Sequence, residues 1–429
     1  MRTLFKQNDS NSSKPSNRRF QKKFIAYAVL VAVLVSVVSL YPNFNNPVSN
    51  SPVPIETSST PESQIVLPTE TNSDRQTSII TSTITPTTTV VSPVSTAKFL
   101  LPLMKNAFAS VNDGGLSATS NEYTIPTASA GLEHISEDIY LNDCYFTENS
   151  GNKIGKLFYS VGWKFTEWTV PTASSGPKGI TNNYRTYLIH NDAAVRVYFT
   201  ENSANKIGML VPSTGAVTEW VVPTASAGLG SIVIDSSGIV YVIENSVNKI
   251  GMLNPSTNAF TEWTIPTASA GLGFITVDST NKVWFTENSQ NKIGKLSPAA
   301  NAFTEWTVPT ASSVPVAIAI DYPSGNVYFT ENSGNKIGRL VPSTNTFTEW
   351  TVPTSSSGPF GIDIVDATGA YVVFSENSAN KMTRLNLSTN IFTEWTVPTA
   401  SSGPGHVSES LSYNYAFIEQ NQNIIAGLQ

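Results

Sequence analysis

A single cysteine, Cys144, stands among 429 residues, so neither an internal disulfide nor a thiolate cluster for metal can be built. Histidine is nearly as scarce, with three copies, and only 13% of the chain is charged while 40% is apolar. That composition excludes a disordered acidic tail, a collagen and a disulfide scaffold. Cations are concentrated at one end. Residues 1–23 carry seven (Arg2, Lys6, Lys14, Arg18, Arg19, Lys22, Lys23) against Asp9, leaving 18 Lys and Arg against 30 Asp and Glu in the remainder. An acidic body argues against binding a phosphate backbone, and no RNA- or DNA-binding motif appears, so no nucleic-acid partner is expected. Apolar runs long enough to cross a bilayer are missing after residue 41, which excludes a polytopic transporter.

One such run exists before it. Phe24 to Tyr41 reads FIAYAVLVAVLVSVVSLY without a charge. Eighteen helical residues span about 27 Å, close to the roughly 30 Å of bilayer hydrocarbon. The basic residues 1–23 then mark a cytoplasmic tail, and the positive-inside bias sends everything after Tyr41 outward. A cleaved secretory signal is the competing reading; its apolar core is shorter and is followed by small residues at the cleavage site. No A-x-A follows Leu40, which favours an uncleaved, single-pass anchor over 24–41. Residues 42–97 hold 22 Ser/Thr and 8 Pro among 56, with Phe44 the one aromatic. Such a segment cannot bury enough apolar surface to offset its ordering entropy and reads as an extended, disordered stalk. Residues 98–120, with the patch FLLPLM, form a connector expected to pack on the repeat domain beyond it.

From residue 121 to 429 the chain repeats. NKIG or a degraded form begins at Asn152, Asn205, Asn248, Asn291, Asn335, Asn380 (NKMT) and Asn423 (NIIA), mostly 43–45 residues apart, with 53 once. A second string, FTEWTVPT or a variant, places a glutamate at Glu122, Glu167, Glu219, Glu262, Glu305, Glu349 and Glu394. Each unit holds four short β-branched and aromatic segments separated by turn residues, which is the arithmetic of a propeller blade; helical repeats would need a 3.6-residue apolar period. The first fragment, NEYTIPT from Asn121, supplies only a last strand, and the chain stops after the third strand of the seventh unit. Together they predict an all-β, seven-bladed β-propeller closed by an N-terminal outer strand, which removes exposed sheet edges. A monomeric propeller is the expected form.

Residues present in every blade read first as scaffold. Six tryptophans (Trp168, Trp220, Trp263, Trp306, Trp350, Trp395) share one slot, with Tyr123 in the seventh, and are expected to pack between blades. The Lys of NKIG and the Glu of TEW can pair within or between blades. A second set of glutamates ends the second segment of every unit: Glu148, Glu201, Glu244, Glu287, Glu331, Glu376 and Glu419. Strand order puts them at one face, where carboxylates around an opening suit a hard divalent cation; bonding to nearby backbone amides is the alternative.

Units of the form GPxGI, FTENSxNKIGRL and FTEWTVPT over residues 121–429 closely resemble the repeats of the virginiamycin B (streptogramin) lyase family. The resemblance implies a seven-bladed propeller, Mg²⁺ as cofactor, and carbon–oxygen elimination that opens a cyclic depsipeptide at its ester. It also implies E-P-H-G-I in the final blade, a glutamate ending the next strand, and a second histidine in the sixth blade. Here Gly403-Pro404-Gly405-His406 puts Gly403 for the glutamate and Gly405 for the histidine, and Phe360 stands at the other histidine's place; Glu419 matches.

Two function classes are compatible with these residues. One is an anchored, outward-facing scaffold that binds an extracellular ligand or envelope component. The other is a metal-dependent lyase or hydrolase of an extracellular ester, using His406 and His134 as catalytic groups and Glu419, Glu148 and Glu133 as metal ligands. His406 lies one place beyond the family's histidine, His134 holds the equivalent place in blade 1, and ring closure makes those blades neighbours. Strand alternation alone would turn a side chain shifted by one residue to the opposite face.

Overall fold

The computed structural model describes residues 120–138, 143–160, 162–183, 195–365, 371–409 and 415–428. The basic tail, the segment 24–41, the stalk, nearly all of the connector and His190 lie outside the described residues. Among the described residues no helix is long and apolar enough to cross a membrane.

Twenty-eight described strands form seven four-stranded antiparallel sheets. Within each blade the strands, here called a to d, run in order outward from the central axis. Blade 1 consists of Leu132–Asp138, Asp143–Glu148, Lys153–Ser160 and Gly162–Thr169. Blade 4 consists of Leu272–Val277, Val283–Glu287, Lys292–Ser297 and Ala302–Thr307. Blade 7 takes Pro404–Glu409, Tyr415–Glu419 and Ile424–Leu428 from the C-terminus and Ser120–Thr124 from the N-terminal side. The a strands of neighbouring blades pack against one another all the way round, blade 7 against blade 1 included. The ring is closed as its repeats predict.

Burial follows position in the blade. Strand b is buried on both faces, as in Val283–Glu287, and reads as a continuous apolar run ending in glutamate. Strand d alternates exposed and partly covered residues, as in Ala302–Thr307. Within a blade, aromatic side chains interlock across the strands; in blade 4, Phe285 of strand b lies edge-on to Phe303 of strand d. The Gly of NKIG is fixed by that ring. Gly294 pairs with Phe285, and a Cβ there would stand 2.2 Å from the phenyl carbons. The shared tryptophans reach the next blade, with Trp263 Nε1 donating to Asn301 Oδ1 at 2.9 Å.

The Asn of NKIG occupies the left-handed region in all seven blades, at φ between 53° and 59°, a conformation asparagine tolerates better than most residues. Its side chain then ties down the loop leaving strand d. Asn291 Nδ2 donates to the Val308 and Thr310 carbonyls, and its Oδ1 accepts from the Ser313 amide. Its lysine neighbour completes a clasp between blades. Lys292 Nζ donates to Glu305 Oε2 in its own blade at 2.8 Å and to Thr267 Oγ1, on the loop leaving the preceding blade, at 2.7 Å. Six blades repeat this clasp, with Nζ to Oε2 distances of 2.7–2.9 Å.

Candidate functional site

Every a strand carries the same irregularity near its start, on the face of the NKIG turns. Register with strand b breaks between Leu132 and Ile135 in blade 1 and at the equivalent place in the other six blades. A bulge of this kind re-aims side chains and is common beside functional sites. The two residues it frees are Glu133–His134, Lys178–Gly179, Gly230–Ser231, Gly273–Phe274, Val316–Ala317, Phe360–Gly361 and Gly405–His406. This is where the blades differ most around the channel.

Three rings from this set meet. His134 and His406 lie with ring centroids 4.9 Å apart and planes 11° from parallel. Phe274, from the far side of the ring, lies 5.0 Å from His134 and 5.5 Å from His406, again nearly parallel. Phe360 meets Phe274 edge-on at 5.9 Å. The backbone beneath is rigid: the His134 amide donates to Thr147 Oγ1, which donates in turn to the Lys178 carbonyl of blade 2. The matching Ser375 Oγ donates to the Gly405 carbonyl, linking blade 6 to blade 7.

Both imidazoles are held neutral. Burial pushes the His134 pKa well below the ordinary histidine range, and the neighbouring His406 and Lys178 push the same way. Burial takes His406 down to about 4, with a backbone hydrogen bond to Ile135 opposing it. His406 Nδ1 is buried without a hydrogen-bond partner. Stacked imidazoles present faces to each other, so their lone pairs do not converge on one point. Glu133 sits on the rim, its pKa raised by burial and partly restored by Lys178.

Glu148 and Glu419 are not part of this cluster. Each is fully buried and pairs across the ladder with the start of its own a strand. The ionisable groups around Glu148 are Glu167 and Lys153 of its own blade, and that around Glu419 is Glu122. Burial raises Glu148 to about 7 and Glu419 to about 8. The seven strand-b glutamates thus turn into their blades rather than around an opening, each lying beside the strand-d carboxylate of its own blade. Among the described residues no three of His, Cys, Asp and Glu lie together as a metal ion would need.

The space that the family's Glu and His would fill is occupied. A Cβ at Gly403 would stand 2.5 Å from Asn421 Nδ2, and one at Gly405 would stand 2.6 Å from Gln420 Cδ. The amide of Asn377 holds that corner, donating to the Pro404 carbonyl and to Gln420 Oε1. The residues present therefore do not fit a family-type Mg²⁺ site. Phe274, Gln420 and Asn421 were missed by sequence reasoning. Phe274 was findable by aligning the seven freed dipeptides, where it is the one large ring among small residues at its place apart from the two histidines. On the opposite face, a groove of about 390 Å³ between blades 2 and 3 is lined by Arg196, Tyr198, Met209 and Trp220 among others.

Comparison with known proteins accords with this architecture. The profile of the Virginiamycin B lyase family matches residues 103–364 and 182–429. Crystalline selenomethionine virginiamycin B lyase from Staphylococcus aureus is 28% identical, covering 72% of this chain and 99% of its own at a TM-score of 0.63. A streptogramin B lyase structure is 26% identical, covering 72% and 97% at 0.64. A catalytically inactive histidine-to-alanine variant of the S. aureus enzyme, crystallised with quinupristin, is 27% identical, covering 72% and 99% at 0.63. Curated protein sequences give no match. On its repeats, its closed seven-bladed ring and its profile match, the chain belongs to the virginiamycin B lyase family.

Proposed function

We propose that this chain is a non-catalytic, ligand-binding member of its family, anchored by residues 24–41 and carrying its propeller outside the cytoplasm on the 42–97 stalk. One observation carries the reading: the His134, His406 and Phe274 rings, all from the register breaks of the a strands, stack within 4.9–5.5 Å of one another. A general base works best with a pKa near the operating pH. An imidazole held at about 4 is a weak base at neutrality, and among the described residues no group of three metal-ligating side chains gathers beside either ring. Replacement of the family's residues by Gly403, Gly405 and Phe360 supports the same conclusion. The ligand is an extracellular or envelope component, and the aromatic and basic groove between blades 2 and 3 offers a place for it.

Isothermal titration of the full-length chain with Mg²⁺ and Mn²⁺, followed by an ester-cleavage assay on a streptogramin B depsipeptide, tests this. Neither metal uptake nor turnover is expected. Metal-dependent ring opening that His406→Ala abolishes would overturn the proposal. It would establish the second reading, a lyase working through relocated histidines, which the meeting of His134 and His406 favours.

A further inference from the structure

Six blades close their interblade clasp with a lysine, and the seventh does not. The acceptors are all retained there. Glu122 of the N-terminal strand takes the Thr399 amide on Oε1 at 3.1 Å and the Thr399 hydroxyl on Oε2 at 2.8 Å, as Glu305 takes Thr267 in blade 4. The register is also retained. Ile424 pairs with Glu419 on one side and Thr124 on the other, the place that Lys153 holds between Glu148 and Thr169. Only the ammonium is gone. Beside the gap, Glu419 is fully buried and, like most of its sisters, has no donor to either oxygen at hydrogen-bond geometry; each of the six sisters is faced by the clasp lysine, whereas the ionisable group facing Glu419 is Glu122.

We propose that the ring-closing blade binds a monovalent cation of ammonium size, K⁺ or NH₄⁺, between Glu122, Thr399 and Glu419, in the position that lysine Nζ fills in the other six blades. Those six lysines calibrate the site: each Nζ lies 2.6–2.8 Å from a threonine Oγ1 and 2.7–2.9 Å from a glutamate Oε2. Two carboxylates without a countercharge are costly away from bulk water and are normally paired or ligated. Glu122 is partly exposed, so a cation can exchange with solvent. Hydrophobic Ile424 fills the volume of the lysine stem but offers the carboxylates nothing. The bound ion would tie three segments together: the N-terminal strand, the loop leaving blade 6, and strand b of blade 7. It would therefore act as a latch on the one blade assembled from both ends of the domain.

The test is thermal unfolding of the full-length chain in detergent micelles at about pH 8, where ammonium is still a cation. Chloride salts of K⁺, NH₄⁺, Mg²⁺ and tetramethylammonium are compared at matched ionic strength. A free ion at about ten times its dissociation constant raises the folding equilibrium roughly tenfold, read as a midpoint about 2–4 °C higher in K⁺ or NH₄⁺ than in tetramethylammonium. Ile424→Lys should abolish the difference and unfold in tetramethylammonium as late as the wild type does in K⁺. Should that variant fail to fold, Glu122→Gln carries the same test by losing the response to K⁺. Equal midpoints in all salts, stabilisation by Mg²⁺ alone, or an undiminished K⁺ response in Ile424→Lys or Glu122→Gln would each overturn the proposal.

Discussion

Glu287 offers a direct trial of how this fold manages buried charge. It ends strand b of blade 4, is fully buried, and neither carboxylate oxygen meets a donor. Burial pushes its pKa from 4.5 up to about 7, with the Glu305 carboxylate adding to the rise and Lys292 opposing it. Below about pH 4.5 the group is protonated whether the chain is folded or not. Between that pH and about 7 the folded chain keeps a proton that the unfolded chain has released, so stability falls as pH rises through the window. Above it the loss is complete. At 1.36 kcal/mol per pKa unit it amounts to about 3 kcal/mol for this one residue. Glu287→Gln keeps the shape and removes the ionisation. The variant should match the wild type at about pH 4 and exceed it by up to about 3 kcal/mol near pH 8. Urea unfolding followed by tryptophan fluorescence across that range measures both limits, since Trp284 and Trp306 stack in the same blade. A variant less stable than the wild type at pH 8 would refute the reasoning. It would mean that Glu287 is an ion held by Lys292, with the clasp extending to three charges. Because burial raises the strand-b glutamate in every other blade as well, the wild-type chain should be most stable on the acid side of neutrality.

Two further outcomes are expected from backbone and packing. Val314 is β-branched and held at φ 55°, where six sister blades place glycine at 61–68°; relief of that strain outweighs lost contacts, so Val314→Gly should stabilise the chain by about 1 kcal/mol in a thermal melt, and a loss of stability would show the strain to be absent. Gly294→Ala drives a methyl into the buried Phe285 ring and should cost about 1–3 kcal/mol by urea unfolding; no cost would mean that the ring swings aside, as it must where Ala426 pairs with Phe417 in blade 7.

How much of this was legible in the sequence depended on whether a residue's role is set by its own repeat or by a neighbouring one. Seven NKIG and TEW strings counted the blades, and an orphan last strand at one end with three strands at the other foretold closure, because strand pairing needs only complementary fragments. The tryptophans reach between blades as expected, four of them donating from the indole to an asparagine of the next blade. Glutamate direction was not legible. Strand order put the seven strand-b glutamates at one face, but whether they turn to the axis or into the blade depends on strand-d carboxylates some 15–20 residues away in sequence, near Glu148 as Glu167 and near Glu287 as Glu305. The histidines show the opposite failure. Strict alternation would send His406 away from the family's histidine direction, yet the register break between Pro404 and Val407 frees both residues of the dipeptide, so His406 reaches His134 after all. The same bulge lets Gln420 and Asn421 close over Gly405 and Gly403. A one-residue displacement in a regular strand inverts a side chain, whereas within a bulge it redistributes which neighbour fills the vacated space. For this family a motif departure of one residue at the channel mouth is therefore informative about packing before it is informative about loss of a catalytic group. The seven freed dipeptides differ from one another at the second place chiefly by His134, Phe274 and His406, and these are the three rings that stack.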